Sequence, residues 1–161
     1  GLVAAEAFTK ATVLLSDLDE QALSLASENI ALHERSDRVI ALRADLLSAL
    51  RSGSIDVVLA NPPYVPRAEM AELPPEYTAE PRIALEADAE GTELAVRLLR
   101  EGARVLAPDG LMLLEVGETW MTLEDRLPKV PFLWIELPQG GSGVAVISAQ
   151  ELRDWDAAGI L

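Results

Sequence analysis

The chain contains no cysteine and a single histidine, His33, among its 161 residues. The absence of cysteine excludes disulfide bonds, thiolate metal sites and cysteine nucleophiles, and one histidine cannot build a multi-histidine metal cage. His33 falls on the apolar face of a predicted helix, near its end, so we expect it to pack or to cap the helix rather than to act as a base. We therefore predict no metal site.

Aromatic and basic residues are also scarce. Aromatic residues make up 4% of the chain, and 13 Lys and Arg stand against 27 Asp and Glu, for a formal net charge of −14. Proteins that bind nucleic acid neutralise phosphates with Lys and Arg and often stack bases on aromatic rings. The composition therefore disfavours direct binding of nucleic acid and favours a basic partner.

Long apolar runs are missing as well. No segment approaches the roughly 18 residues of a membrane-spanning helix, and the first ten residues, GLVAAEAFTK, lack the basic flank of a secretory signal. We expect no membrane partner and a cytoplasmic location. Residues 1–7 have the composition of the middle of a helix with no capping residue before it, so we expect the chain to begin inside a larger protein.

The chain is rich in aliphatic residues, since half of it is hydrophobic and its length suits one domain. Short apolar runs alternate with segments of helical spacing, which predicts an α/β fold with a mostly parallel sheet. The closing pair of strands, joined by a glycine-rich turn, is expected to form an antiparallel hairpin at the sheet edge. The predicted strands are 11–16, 38–42, 55–60, 111–116, 132–137 and 144–148, and the predicted helices are 19–33, 92–106 and 120–127.

Asn61-Pro62-Pro63-Tyr64 directly follows the apolar run at 55–60. Ligands of open α/β sheets bind outside the carboxyl ends of the strands, so this motif stands where a site is expected. The Asn61 side-chain oxygen and the Pro62 carbonyl can together accept both N–H bonds of a planar amide or aminopurine. The two prolines fix the backbone, and Tyr64 can cover the flat group. The motif therefore predicts a clamp for a planar NH₂ group.

With this motif the sequence resembles the class I S-adenosylmethionine-dependent methyltransferases, and among them the glutamine amide-nitrogen methyltransferases. Further similarity lies in the segment ELPPEY at 72–77, followed by Glu80 and Pro81, and in the ending with VPFLW at 130–134 and GGSGV at 140–144. These longer features are more similar to the branch that methylates large-subunit ribosomal protein three than to the release-factor branch. The resemblance implies a doubly wound, Rossmann-like sheet and transfer of a methyl group to a glutamine of a basic ribosomal protein.

The resemblance also assigns site residues. In the family, an acidic residue at the end of the second strand binds the cofactor ribose, and Asp17 occupies the matching place; a carboxylate can accept from both ribose hydroxyls. Asp45 matches the acid beside the adenine amine, and Leu18 and Leu46 would flank the ring. The implied cofactor residues are Asp17, Leu18, Asp45, Leu46 and Asn61; the implied catalytic residues are Asn61, Pro62 and Tyr64; and Pro63, Glu80 and Pro81 join these in the implied substrate site.

One departure from the family pattern concerns the start of the fold. The family carries a first strand and a glycine-rich turn before its first long helix, and we find neither in these residues. We therefore expect 1–161 to be a single catalytic domain that is truncated at its N-terminus and lacks the first strand, and that by itself binds S-adenosylmethionine feebly and shows no glutamine methylation.

Two other functions stay open at this stage. An adenine amino methyltransferase acting on DNA or RNA would share the motif and the cofactor, but it would need a basic groove. A methyltransferase-fold module without activity would use residues 61–64 only to bind or support a partner.

Overall fold

The computed structural model describes residues 1–74, 77, 80–138 and 141–161. It divides into two compact units, Gly1–Leu50 and Arg51–Leu161. The single-domain organisation stays a prediction. None of the helices among the described residues combines the length and apolar character needed to cross a membrane.

The first unit is a βαβ arrangement preceded by a short helix. It contains α1 (Leu2–Ala7), β1 (Val13–Asp17), α2 (Glu20–Leu32) and β2 (Val39–Arg43). The two strands pair in parallel, as predicted, from Val13 opposite Val39 to Asp17 opposite Arg43. A small core of three fully buried residues holds the unit together; it consists of Ala5, Ile30 and Val39, against which Leu2, Val13, Leu15 and Ala41 pack.

Helix α2 is capped by Asp19, whose side chain accepts a hydrogen bond from the backbone N–H of Gln21. Only part of its apolar face is buried. Ile30 is buried, whereas Leu25 and His33 are exposed. His33 caps the helix end through its backbone, so the capping part of the expectation is confirmed and the packing part is wrong. The reason is that the small core of this unit covers only one narrow stripe of α2.

The second unit is built on a four-stranded mixed sheet in the order β3-β4-β6-β5. Strands β3 and β4 are parallel, whereas β6 runs antiparallel to both β4 and β5, which confirms the predicted edge hairpin. The elements are β3 (Ile55–Ala60), α3 (Glu93–Val105), β4 (Leu106–Glu115), α4 (Trp120–Arg126), β5 (Trp134–Ile135), β6 (Val144–Ser148) and α5 (Ala149–Ala157).

The core of the second unit lies on one face of this sheet. The alternate residues Met112 and Leu114 of β4 and Ala145 and Ile147 of β6 are at most 1% exposed. Helices α3 and α5 pack together, and α5 packs on β4 and β6. The period-two burial of β6 follows directly from strand geometry, because successive side chains point to opposite faces.

Two predicted strands of this unit differ clearly in their bounds. Strand β4 begins at Leu106, and Pro108, Asp109 and Gly110 form an irregularity in it. The pair Ile55–Leu106 is followed by the pair Val57–Leu111, so β4 contains extra residues between these two pairs. The predicted strand 132–137 shrinks to Trp134–Ile135. Its first aromatic ring, Phe132, instead stacks on Trp134 at 5.1 Å and meets Trp155 at 6.1 Å.

Helix α5 was not predicted. Its N-terminus carries a capping box, in which Ser148 and Glu151 each accept from the backbone of the other. The spacing of Ser148 and Glu151 is visible in the sequence, so this signal was sufficient to find the helix.

Candidate functional site

The C-terminal ends of β1 and β2 bring together four predicted site residues of the first unit. The parallel register ends with Asp17 opposite Arg43. The Ala44 N–H donates to the Asp17 carbonyl over 3.1 Å, and the Ser16 hydroxyl donates to the Leu46 carbonyl over 3.0 Å. These bonds hold the two loops beside each other at one edge of the sheet. The residues gathered there are Asp17, Leu18, Asp45 and Leu46.

Asp17 is exposed at this edge. Its Oδ1 accepts a hydrogen bond from the backbone N–H of Asp19 over 2.8 Å, which shapes the turn into α2. Within the described part of the chain, no hydrogen bond engages the second carboxylate oxygen of Asp17. That oxygen is available to accept from a ligand hydroxyl.

Two leucines give this edge an apolar component. Leu18 is 48% exposed, and Leu46 is half-buried with a φ of +49°. A leucine rarely adopts this left-handed conformation, which costs on the order of 1 kcal/mol. The chain therefore forms a turn through Leu46 after Asp45. Carboxylates beside apolar side chains suit a nucleoside, which presents hydroxyls and a flat ring, so these residues fit the adenosyl part of S-adenosylmethionine.

The Asn-Pro-Pro-Tyr motif begins at the C-terminal end of β3 in the second unit. Asn61 is exposed and Pro62 is buried. The last register pair of the parallel strands is Ala60 opposite Leu114. Asn61 and Glu115 each follow one residue later; Asn61 is the first residue after β3, and Glu115 is the last residue of β4, where it pairs with Val144 of β6.

The backbone after the motif is tied to the segment before α3. Val65 donates to the Leu85 carbonyl over 3.0 Å and accepts from the Ala87 N–H over 2.9 Å. This single parallel bridge joins Val65 to Glu86. The Glu86 carboxylate binds both Arg82 and Arg67, and hydrogen bonds from these two guanidinium groups lower the pKa of Glu86. The motif is therefore anchored at both ends.

Tyr64 lies half-buried among acidic side chains. Burial raises the pKa of its phenol above the ordinary value, and the charge of Glu115 raises it further. Glu80 and Glu118 contribute in the same direction. The phenol is therefore held neutral over the physiological range, as a group that can donate one hydrogen bond.

Glu80 and Pro81, the more distant predicted substrate residues, stand on the same loop. Both are exposed, and Pro81 precedes a single 3₁₀ turn, Arg82–Ala84. Glu80 lines a cavity of about 270 Å³ with Tyr77 and Leu85. Of the other residues of the quoted family segments, Pro75, Glu76 and Gly140 lie outside the described residues.

The sequence reasoning missed two groups around Tyr64. Glu118 was not assigned a role, and neither was Gly117, whose α-carbon lies against the Tyr64 ring. The run Glu-Val-Gly-Glu at 115–118 directly after a buried strand was the available signal, because a glycine among acids at a strand end is typical of a site that needs close approach.

The sequence is similar to a methyltransferase family model and to two glutamine methyltransferases. Residues 1–74 match the family described as the methyltransferase small domain. The chain is 36% identical over 158 residues to the ribosomal protein uL3 glutamine methyltransferase of Francisella tularensis, covering 98% of this chain and 50% of that protein. It is 39% identical over 137 residues to the protein of the same name from Xanthomonas campestris, covering 84% of this chain and 44% of that protein. The chain thus spans about half the length of the curated relatives it matches.

The fold has a counterpart among solved structures. The chain superposes on a human methyltransferase 10 domain containing protein with a TM-score of 0.53 and 17% identity, covering 84% of this chain and 60% of that one. At this level of identity the likeness concerns the fold alone, which is that of a methyltransferase domain with a mixed α/β sheet.

Proposed function

We propose that this chain, which is similar to two uL3 glutamine methyltransferases, is the catalytic part of an enzyme that methylates a protein glutamine. The methyl group would pass from S-adenosylmethionine to the side-chain amide nitrogen of a glutamine in a ribosomal protein, with uL3 as the first candidate substrate. The names of the two relatives support this choice.

The observation that carries the proposal is the placement of residues 61–64. Asn61 is exposed at the carboxyl end of β3, and its neighbour Pro62 is buried. An exposed amide next to a fixed backbone carbonyl offers two acceptors in one rigid arrangement. A primary amide has two N–H bonds to donate, so the Asn61 side-chain oxygen and the Pro62 carbonyl can orient it.

An amide nitrogen is a poor nucleophile because its lone pair is delocalised into the carbonyl. Orientation is therefore the main contribution that the protein can make. Accepting both N–H bonds also stabilises the positive charge that grows on the nitrogen as its bond to the methyl carbon forms and the carbon–sulfur bond breaks. The amide then loses one proton to solvent. Tyr64 and Pro63 would close the flat face of the amide against water.

The cofactor would be held in the first unit by Asp17, Leu18, Asp45 and Leu46, which gather at one sheet edge. When bound, S-adenosylmethionine supplies an electrophilic methyl group. We propose that Asp17 accepts from the ribose hydroxyls and that Asp45 accepts from the adenine amine.

The charge of the chain supports a basic partner. A formal net charge of −14 would attract a lysine- and arginine-rich ribosomal protein and would mainly speed their encounter. Glu80 and Glu118 stand near Tyr64, where their negative charges would attract a basic residue flanking the glutamine. The expected cytoplasmic location stays a prediction.

A methylation assay tests the proposal. The full-length protein is incubated with S-adenosylmethionine carrying a labelled methyl group and with purified large-subunit ribosomal proteins, DNA or RNA in separate reactions. We expect label on a glutamine of one ribosomal protein, located by peptide mass spectrometry, and its loss in Asn61→Ala. Label on adenine would establish the nucleic-acid alternative, and no label on any substrate would support the non-catalytic one.

A further inference from the structure

The Tyr64 ring lies so close to the α-carbon of Gly117 that no side chain would fit at position 117. A Cβ added to Gly117 would stand 2.7 Å from Tyr64 Cε2 and 2.8 Å from Cζ. Such distances are shorter than any ordinary carbon contact, so the bare α-carbon of Gly117 is what allows the ring to lie there. The φ of Gly117 is +50°, which also favours glycine.

Gly117 is itself in close contact with Gly143. A Cβ on Gly143 would meet the Gly117 carbonyl oxygen at 2.1 Å and its carbonyl carbon at 2.9 Å. The Val116 N–H donates to the Gly143 carbonyl over 2.8 Å, and the Ser142 hydroxyl donates to Glu118 over 2.9 Å. The loop before β6 is thus fastened onto residues 116–118.

A third contact fixes the backbone of Tyr64 itself. A Cβ on Gly91 would meet the Tyr64 carbonyl oxygen at 2.3 Å and Thr119 Cγ2 at 2.9 Å. Gly117 and Gly91, which are distant in sequence, therefore both lie against Tyr64, and Gly143 lies against Gly117.

We infer that Gly117, Gly143 and Gly91 are positioning residues that hold Tyr64 against the substrate amide. This inference rests on the proposed function, in which Tyr64 closes the face of the glutamine side chain. Gly117 supports the ring, Gly143 supports Gly117, and Gly91 fixes the carbonyl. A displaced ring leaves the amide free to rotate away from Asn61 and Pro62, and a misplacement of about 1 Å can lower a rate by on the order of 10²-fold.

Two other glycines of the chain provide matched controls. Gly53 has a φ of +64° with no atom within 4 Å of an added Cβ, and Gly141 has a φ of +111° with only Leu137 Cδ1 at 3.9 Å. Alanine at these positions introduces the strain of a positive φ without a collision. Gly53→Ala is the control for Gly117→Ala, and Gly141→Ala is the control for Gly143→Ala.

The kinetic test is made with the full-length enzyme. We expect Gly117→Ala and Gly143→Ala to lower kcat/KM for the protein substrate by on the order of 10-fold or more. The affinity for S-adenosylmethionine, measured by calorimetry, should stay within about twofold, and both control variants should retain the parent kcat/KM. Parent-level kcat/KM in Gly117→Ala, or an equal loss in Gly53→Ala, would overturn the inference.

A stability cycle separates ring support from a general structural role. In the parent protein, Gly117→Ala should lower Tm by more than Gly53→Ala, whose strain alone is expected to cost about 2–4 °C. In a Tyr64→Ala background the added Cβ at position 117 no longer collides with the ring. The Tm losses caused by Gly117→Ala and Gly53→Ala should therefore become equal. Gly143→Ala collides with backbone, and its loss should persist in both backgrounds.

The cycle also keeps this inference distinct from the proposed function. If the parent protein methylates no glutamine but Tyr64→Ala reduces the Tm loss caused by Gly117→Ala, the proposed function fails, whereas the conclusion that Gly117 supports the Tyr64 ring stands. If methylation is found but Gly117→Ala costs the same Tm in both backgrounds, the inference fails and the proposed function stands.

Discussion

Arg67 donates a hydrogen bond from Nε to Oε1 of Glu86 over 2.6 Å. Arg67 lies three residues after Tyr64 in the chain, and Glu86 also binds Arg82. This one carboxylate therefore joins the segment that leaves the Asn-Pro-Pro-Tyr motif to the 3₁₀ turn Arg82–Ala84.

Replacing Glu86 by Gln should remove both ion pairs, and the resulting loss of stability should depend on pH. The pKa of Glu86 is lowered in the folded state, so its stabilisation is complete above the unfolded-state pKa of about 4.3 and is lost as the pH falls through the lower folded-state value. Tm measured from pH 7 to pH 2 should therefore be lower in Glu86→Gln at neutral pH and converge with the parent in acid. The exposed Glu69 of the same loop provides the control Glu69→Gln. A Tm difference that persists below the folded-state pKa would show that the ion pairs are not its cause.

The phenol of Tyr64 should titrate above its ordinary value because burial and then Glu115 raise its pKa. Tyrosine labelled with ¹³C at Cζ reports this titration by NMR, and Tyr64→Phe assigns the signal. Glu115→Gln should lower the pKa of Tyr64 without returning it to the ordinary value, since burial is the larger cause. The exposed Glu136 offers the control Glu136→Gln. An unchanged pKa in Glu115→Gln would remove Glu115 from the surroundings of Tyr64.

The strands that carry the site were predictable from the sequence because they are short, apolar and followed by polar residues. The bounds of β3 agree with the prediction at both ends, and β6 does too. The place of Asn61 followed from β3 alone, since a residue after a parallel strand stands at the carboxyl edge of the sheet.

The surroundings of Tyr64 were not predictable in the same way. Gly91, Gly117 and Gly143 belong to three loops, and the pairing of β4 with β3 and β6 brings Gly117 and Gly143 close to the segment that follows β3. Local sequence patterns report on helices and strands but not on such long-range contacts. The left-handed turn at Leu46 escaped prediction for a related reason, because leucine carries no preference for it and the fold imposes it.

The upstream part of the fold stays a prediction. In the described residues β1 pairs only with β2, and β3 pairs only with β4. The expectation that a first strand and a glycine-rich turn complete the domain is tested by nothing in residues 1–161.

Asp17→Ala should weaken S-adenosylmethionine binding by about 1.5–3 kcal/mol, the range for hydrogen bonds to a charged group. Asp17→Asn should lose less, because the remaining amide oxygen can still accept from the Asp19 N–H and keep the turn into α2. Calorimetry on the full-length protein measures both variants. Asp37→Asn, an exposed change in the same unit, is the control. Unchanged affinity in both Asp17 variants would restrict Asp17 to shaping the turn.

Asn61→Ala should lower the methyl-transfer rate by on the order of 10²-fold or more, because it removes an acceptor that orients the amide and stabilises charge in the transition state. The affinity for S-adenosylmethionine should stay nearly unchanged. Single-turnover rates and calorimetry on the full-length enzyme separate the two quantities. Asp56→Ala, an exposed change on the same strand, should alter neither. An equal loss of rate and cofactor affinity in Asn61→Ala would instead assign Asn61 to cofactor binding, which is the other role that the family resemblance implies for it.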